Sequence, residues 1–389
     1  MTMTVGEAGD LGAAIDALPL IDHHVHGIWN ADPDRTTFEG AVTEAFDPPA
    51  AGTSVFDSQV GFAIRRHCAP LLGLPEHAPA GEYLARRLDL GAAEVNRRLL
   101  AASGVTHLLV ETGHRGSEIT SPGETGAIAG QRVDEIVRLE PVAEQLAAEG
   151  VPAGGFAAAF AERLAAVAAD AVGLKTVVAY RYGLDFDAAP PAPADIVAAA
   201  GRWLAAGPPP GGWRMDDPVL LRQLIWSGLD LGLPLQFHVG YGDPDLRLHR
   251  CNPLLMTDFL RASQSRRVPV MLLHCYPFQR EAGYLAQIFP HVYLDVGEAV
   301  HYTGARSPSV LAEALELAPF GKLLFSSDGW GPAELHFLGA LLWRRGMTDV
   351  LGGFVAAGEW SAPDALRVAT LIGSENTRRV YRLDDRRTP

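Results

Sequence analysis

The chain has 389 residues, of which 48% are hydrophobic, and a formal net charge of −14 at pH 7. This acidic balance disfavours nucleic acids and anionic membrane surfaces as partners, and no stretch approaches the uninterrupted apolar length of a membrane span. Residues 1–20 carry acids where a signal peptide has an apolar segment, and three widely spaced cysteines (Cys68, Cys251 and Cys275) do not suggest a disulfide framework. We therefore expect a cytoplasmic protein in a reducing compartment.

Short apolar runs that end in polar residues alternate along the chain with stretches of helical period. The runs predict eight strands, at Leu18–His26, Val105–Thr112, Val133–Glu140, Val172–Arg181, Leu233–Val239, Val268–Cys275, Val292–Gly297 and Lys322–Asp328. The helical stretches include Glu140–Ala148, Phe156–Ala169, Asp217–Leu231 and Pro308–Leu317. Alternation of strand and helix implies parallel strands joined by right-handed crossovers. We predict an α/β fold, a (β/α)8 barrel that forms a single domain over residues 1–389.

The connection after the first strand is unusually long, because residues 27–104 separate the first two apolar runs. Within it, Glu44–Leu100 is largely of helical composition. We interpret residues 30–100 as a helical insertion after the first strand that covers the barrel mouth. Residues from about 335 to 389 are interpreted as helices packed outside the barrel.

The first predicted strand ends in an informative pair, His24 and His26. Residues two apart in a strand point to the same face, so both imidazoles can reach one metal ion. The alternative is that they are satisfied polar residues at a strand end. Four further candidates, Lys175, His238, His274 and Asp328, each lie in or at the end of another apolar run. In a barrel these strand ends meet at one mouth, which predicts a metal site there.

Two of these candidates have particular chemistry. A buried Asp328 carboxylate requires a cation or hydrogen-bond donors, and a metal ion supplies the first. A buried Lys175 amine of lowered pKa can be carboxylated by CO₂, which turns it into an anionic bridge between two metal ions. The alternative for Lys175 is a neutral or ion-paired core lysine.

The ordered set Asp22-x-His24-x-His26, Lys175, His238, His274 and Asp328 resembles the amidohydrolase superfamily. More narrowly, the chain is similar to the FluG-type group, the amidohydrolase-like half of nodulin–glutamine synthetase fusion proteins. The similarity is carried by GLKTVVAYRYGLD (173–185), LPLQFHVGYGDPDLRL (233–248), LLHCYPFQREAGYLAQIFPHVYLDVGEAV (272–300), LLFSSDGWGPAELHFLGALLWRR (323–345) and SENTRRVYRL (374–383). The similarity is weak over residues 30–100, and the glutamine synthetase half is absent.

The resemblance implies Zn²⁺, or Mn²⁺ or Fe²⁺, held first by His24, His26 and Asp328. A carboxylated Lys175 would bridge to a second ion on His238 and His274. Without carboxylation the site would hold one ion, with His238 as a further ligand and His274 available for acid–base work. Superfamily analogy also suggests a homodimer.

We expect a metal-dependent hydrolase that cleaves an amide C–N bond of a small carboxylate-bearing substrate, an amino-acid amide or a γ-glutamyl amide. Asp328 acts as the general base toward metal-activated water, and His274 is the second catalytic candidate. A non-oxidative decarboxylase on the same barrel is the enzymatic alternative, and a non-catalytic binding barrel is the alternative from another class.

Several residues just past the predicted strand ends are candidates for substrate contact. Arg181 suits a carboxylate, and Glu298 suits an ammonium group. The full candidate set is Arg181, Tyr182, His114, Tyr241, Glu298 and Trp330. For each of them the alternative is loop packing or a surface ion pair.

Overall fold

The structure is a computed structural model that describes residues 5–385. Two short segments lie outside the described residues. They are residues 1–4, part of the stretch considered above as a signal peptide, and residues 386–389, the end of the predicted C-terminal helices. The chain forms two compact units, one made of Met1–Asp134 with Asp295–Pro389 and the other of Glu135–Leu294.

The first unit contains two parallel strands, β1 (Leu20–Val25) and β2 (Val105–Glu111). All six residues of β1 are buried, which is typical of parallel strands covered on both faces. The β1 sequence LIDHHV therefore places three polar side chains in the interior. Each of them needs a hydrogen-bonding or charged partner, because burial of an uncompensated polar group is costly.

The run Lys322–Asp328, predicted as the eighth strand, does not form a regular strand. A short 3-10 turn spans Phe320–Lys322, and the following residues extend beside β1. His23 N donates to Phe325 O (3.2 Å), but Asp328 N then donates to His24 O (3.2 Å). Asp328 has φ +51°, in the left-handed region that ends an extended path. The predicted eighth strand is therefore not confirmed as a regular strand, and its extended path ends where Asp328 adopts a left-handed conformation.

Helices make up most of the remainder of the first unit. The α-helices are Val5–Asp16, Arg35–Gly40, Gln59–Ala63, Ala80–Leu90, Ala92–Ser103, Pro122–Ala129, Gly297–Thr303, Ser307–Ala314, Ala333–Ala356, Ala362–Thr370 and Asn376–Val380. Short turns of 3-10 or π type are Ile64–Cys68, Pro70–Leu72, Gly304–Arg306, Phe320–Lys322 and Leu371–Glu375. The stretch 44–100 is thus largely helical, as its composition predicts. Its placement over a barrel mouth stays a prediction. The helix Ala333–Ala356 is called the long helix below.

The second unit contains parallel strands that pair in chain order. They are β3 (Arg132–Arg138, which belongs to this unit from Glu135 and pairs from Ile136 onward), β4 (Gly173–Thr176), β5 (Leu235–Val239), β6 (Val270–His274) and β7 (Val292–Leu294). Together with β1 and β2 they confirm an α/β fold with seven parallel strands.

The fourth predicted strand is shorter than expected. It ends at Thr176, and Val178–Arg181 forms a turn of helix instead of continuing the strand. The buried carboxylate of Glu140 accepts from Thr176 Oγ1 (2.6 Å) and from Val177 N (2.9 Å), so the chain leaves the ladder at this point. The prediction that the strand continues to Arg181 is therefore wrong.

The helices of the second unit follow the predicted pattern closely. The α-helices are Leu139–Ala148, Phe156–Val167, Val178–Arg181, Pro193–Ala206, Pro218–Asp230, Thr257–Ser263 and Gln279–Ile288, with 3-10 turns at Ala153–Gly155, Leu248–Arg250, Pro253–Met256 and Gln264–Arg266. Asp217 caps its helix by accepting from Val219 N (2.8 Å), and Pro218 occupies the first helical position. None of the described helices combines the length and apolarity needed to cross a membrane.

Candidate metal centre

His24 and His26 lie on one face of β1, with ring centroids 5.1 Å apart. His24 is fully buried and His26 is 7% exposed. His23, the residue directly before His24, points to the other face. Its Nε2 lies 3.0 Å from Asp295 Oδ2 and its Nδ1 lies 3.1 Å from the hydroxyl of Tyr381. The alternation of a strand therefore separates one structural histidine from two that face the candidate site.

Asp328 joins the two histidines of that face. Its Oδ1 lies 3.1 Å from His24 Nε2 and 3.5 Å from His26 Nε2. One donor atom from each of the three residues lies within 4.8 Å of the other two. The Asp328 side chain is 13% exposed, whereas that of His24 is fully buried.

Ser326 and Ser327, the two residues before Asp328, bind the first strand through hydrogen bonds. Ser327 N donates to Asp22 Oδ1 (3.1 Å), and Ser327 Oγ donates to Asp22 Oδ2. Ser326 Oγ donates to His24 O (2.9 Å) and accepts from Asp328 N. Burial raises the pKa of Asp22 to about 8, although the bonds from Ser327 oppose that shift. Asp22 thus anchors the turn that carries Asp328.

The three donors fit a divalent metal ion of the zinc type. Two imidazole nitrogens and one carboxylate oxygen are the ligands such ions bind in catalytic sites, where a further position stays open for water or substrate. Ligands about 2.1 Å from one ion at tetrahedral angles lie about 3.4 Å apart. The observed separations of 3.1 Å and 3.5 Å bracket that value.

Further titratable groups surround this cluster in the first unit. A carboxylate oxygen of Glu298, which is 5% exposed, lies within 4.8 Å of one from Asp328. His301 and His336 are buried. Burial lowers the pKa of His301 to about 4, against the opposing charge of Asp328. Burial, with smaller contributions from His26 and His301, lowers the pKa of His336 to about 3.

His336 was not predicted from the sequence. It lies in the first turns of the long helix and packs against Gly329, where an added Cβ would be 2.6 Å from His336 Cγ. Neither ring nitrogen has a hydrogen-bond partner among the described residues. Its sequence context, the apolar run LHFLGALL, predicts only a helix face, so no local signal indicated this position.

His114 and Trp330, two of the predicted substrate residues, lie close to His26, and their role in substrate binding stays a prediction. The rings of His26 and His114 are 5.2 Å apart, and those of His114 and Trp330 are 5.4 Å apart. Trp330 also contacts Trp29 (6.1 Å) and the guanidinium of Arg115 (5.0 Å). The rings of His114 and Trp330 therefore pack in sequence beside that of His26.

The second unit contains the other predicted ligands. Lys175 is 2% exposed and pairs in register with Gln236, so it shares a face with His238 two residues further on. Register pairs His274 with Val239, which by regular alternation would place it on the opposite face from His238. Instead, His274 has φ +68°, and its ring lies 4.7 Å from that of His238.

The predicted substrate residues of the second unit are engaged in local contacts. Arg181 lies 3.2 Å from Glu144, and burial lowers its pKa although Glu144 opposes this shift. Tyr182 packs under the guanidinium of Arg250 (4.5 Å), and Tyr241 lies 6.0 Å from Tyr276. A role in substrate binding stays a prediction for Arg181, Tyr182 and Tyr241.

Comparison with known proteins identifies the family. The model of a family described as amidohydrolase matches residues 107–383. The chain belongs to the amidohydrolase family. Within it, the chain is 32% identical over 246 residues to the protein FluG of Emericella nidulans, which confirms the resemblance seen in the sequence. That match covers 58% of the chain but only 28% of FluG.

Solved structures extend the similarity beyond the matched region of this amidohydrolase. A candidate metal-dependent hydrolase from Lactobacillus casei is 29% identical, with a TM-score of 0.84 over 96% of this chain and 98% of that one. A uronate isomerase from Bacillus halodurans is 13% identical, with a TM-score of 0.65 over 96% of both chains. At that identity the second likeness concerns the fold alone.

The family match places the site residues in two groups. It includes Lys175, His238, His274 and Asp328, whereas His24 and His26 lie before its first residue. The structure brings the two histidines next to a residue of the matched region, since Asp328 Oδ1 lies within 3.5 Å of Nε2 of both histidines. Glu111, at the end of β2, also contacts His26 and was not predicted. An acid at the end of the strand next to β1 was the available signal.

Proposed function

We propose that this protein is a metal-dependent hydrolase that cleaves an amide C–N bond in a small, carboxylate-bearing molecule. The observation that carries the proposal is the convergence of His24 Nε2 and His26 Nε2 on Asp328 Oδ1, at 3.1 Å and 3.5 Å. Family membership and the likeness to the Lactobacillus casei protein support it. The corresponding architecture is a (β/α)8 barrel with a helical insertion at about residues 30–100.

In this proposal His24, His26 and Asp328 hold one ion, and Lys175, if carboxylated, joins His238 and His274 in holding a second. A divalent ion such as Zn²⁺ supplies Lewis acidity toward the substrate carbonyl and lowers the pKa of the attacking water. Asp328 accepts a proton from that water as the new C–O bond forms. It returns the proton to the amide nitrogen as the C–N bond breaks, which yields an acid and an amine. His274 is the second acid–base candidate.

Two charged side chains carry the substrate proposal. Arg181 binds the substrate carboxylate, and in doing so it exchanges its present partner Glu144 for the ligand. Glu298 binds an ammonium group, which its buried position near Asp328 favours. Such a pair suits an amino-acid amide or a γ-glutamyl amide. His114, Tyr182, Tyr241 and Trp330 contribute the remaining contacts.

The test begins with untagged protein, so that no added histidines bind metal. Elemental analysis before and after dialysis against a chelator measures bound metal, and a panel of N-acyl amino acids and γ-glutamyl amides is screened for amine release. Aromatic acids are screened in parallel for CO₂ release. Metal at one or two equivalents with amine release supports the proposal. Absence of metal after loading, or release of CO₂ alone, overturns it.

The variant Asp328→Asn tests the assigned base. We expect kcat/KM to fall by about 10²–10⁴ because an amide cannot accept the proton. Asp185→Asn is a matched control, since Asp185 pairs with Arg250 at the surface of the second unit. An Asp328→Asn enzyme with the activity of the wild type would remove Asp328 from the mechanism.

A further inference from the structure

Glu111 is a fully buried carboxylate at the end of β2. The parallel pairing of β1 with β2 places Val25 opposite Val110, so the next residues, His26 and Glu111, are neighbours across the strands. Glu111 belongs neither to the donor cluster nor to the predicted substrate residues. A buried carboxylate at this position requires a specific partner.

That partner is the ring nitrogen of His26 that faces away from Asp328. His26 Nδ1 lies 3.3 Å from Glu111 Oε2 and also 3.3 Å from the Glu111 backbone oxygen. A carboxylate and a carbonyl oxygen both accept, so the shared hydrogen belongs to Nδ1. Nε2 then presents its lone pair toward Asp328 Oδ1, 3.5 Å away.

The same carboxylate also orders the adjacent loop. Glu111 Oε1 accepts from Gly113 N, directly before His114. The ring of His114 in turn lies 5.2 Å from that of His26. Glu111 therefore contacts His26 through its side chain and its backbone oxygen, and its side chain also binds the start of the loop that flanks His26.

We propose that Glu111 is a positioning residue that holds His26 as the Nδ1–H tautomer and thereby sets the affinity of the metal centre. The inference rests on the metal site of the proposed function, but not on its substrate. A carboxylate bonded to the distal nitrogen of a ligand histidine fixes the ring and raises its basicity, and loss of such a partner typically costs 10–100-fold in metal affinity.

The test compares two variants that each remove one carboxylate from a histidine of β1. Glu111→Gln acts on His26. Asp295→Asn is the matched control, because Asp295 Oδ2 bonds His23 Nε2 at 3.0 Å on the opposite face of the same strand. The Zn²⁺ dissociation constant of each protein is measured by competition with a chromophoric chelator, and folding is checked by circular dichroism. We expect 10–100-fold weaker Zn²⁺ binding for Glu111→Gln and a change of less than about threefold for Asp295→Asn.

An unchanged dissociation constant in folded Glu111→Gln overturns the proposal, as does equal weakening in both variants. A second measurement reads the state of the His26 ring directly. The ¹⁵N shifts of His26 in the wild-type protein, assigned by loss of its signals in His26→Gln, report the tautomer. An Nδ1–H ring in the wild type that becomes mixed with Nε2–H in Glu111→Gln supports the proposal. An Nε2–H ring in the metal-free wild type overturns it, as does an Nδ1–H ring that Glu111→Gln leaves unchanged, because the backbone oxygen of residue 111 accepts in both proteins. Wild-type protein that binds no Zn²⁺ would instead refute the proposed function, while the tautomer would still test the role of Glu111.

Discussion

His23 and His24 are neighbours in β1, yet their imidazoles point to opposite faces of the strand. His23 Nε2 lies 3.0 Å from Asp295 Oδ2, whereas His24 Nε2 lies 3.1 Å from Asp328 Oδ1. Both rings are fully buried. Of these two adjacent histidines, His23 therefore makes a structural hydrogen bond and His24 belongs to a candidate metal centre.

This division predicts opposite phenotypes for two matched substitutions. His24→Gln should weaken Zn²⁺ binding at least tenfold and leave the metal-free protein nearly as stable as the wild type, because it removes a ligand. His23→Gln should lower the free energy of unfolding by about 1–3 kcal/mol, since it weakens buried hydrogen bonds, with little change in Zn²⁺ affinity. Chelator competition and urea unfolding of both variants provide the two readouts. Loss of metal binding in His23→Gln alone would contradict the assignment.

A buried ion pair joins the helix Ala80–Leu90 to the long helix. Arg87 Nε lies 2.9 Å from Glu334 Oε1, which also accepts from the hydroxyl of Tyr83 at 2.7 Å. Arg87→Met should destabilise the protein by about 3–5 kcal/mol, because it leaves the buried Glu334 charge uncompensated. The double variant Arg87→Met/Glu334→Gln should recover part of that loss, as measured by urea unfolding.

The control for this pair is Arg97→Met, which breaks the solvent-exposed pair of Arg97 with Glu94. Exposed pairs contribute little to stability, so its midpoint of unfolding should hardly move. If Arg97→Met and Arg87→Met were equally destabilising, burial could not be the cause.

Two glycines of the long helix differ in what an added methyl group would meet. A Cβ at Gly339 would lie 2.5 Å from Ser327 Cβ, whereas a Cβ at Gly352 would meet nothing within 4 Å. Gly352→Ala should raise the free energy of unfolding by up to about 1 kcal/mol through helix propensity. Gly339→Ala should lower it by about 1–3 kcal/mol through overpacking. It should also weaken Zn²⁺ binding, because Ser327 precedes Asp328. Similar effects of the two substitutions on stability would argue against close packing at Ser327.

His67 predicts a pH dependence of stability. Burial, followed by the positive charges of Arg345 and Arg66, lowers its pKa from 6.5 to about 4. Below pH 6.5 the unfolded chain takes up a proton that the folded protein accepts only near pH 4. The contribution of His67 is therefore complete above pH 6.5 and is lost as the pH falls toward 4. His67→Gln should lose less stability than the wild type between pH 7.5 and pH 5 in urea unfolding. An equal loss in both proteins would show that His67 does not titrate in this way.

Most elements could be predicted because their signals are local. Apolar runs of strand length located the first seven strands, and a capping Asp217 followed by Pro218 located a helix boundary. The predictions of the eighth strand and of the end of the fourth strand did not match the structure, because both depend on contacts between distant residues. Glu140 binds Val177 N at the point where the fourth strand ends, and Asp22 binds Ser327 directly before the left-handed turn at Asp328.

The sequence alone was sufficient for two conclusions. Strand alternation placed His24 and His26 on one face, and the order of the ligand residues indicated the amidohydrolase family. Only the tertiary structure decided which residues of distant segments support them. Glu111 reaches His26 through strand pairing, His336 approaches the Asp328 segment through packing of the long helix, and His274 faces His238 through a left-handed backbone angle. Local sequence specifies side-chain direction along one element, whereas the partner across space depends on how elements pair and pack.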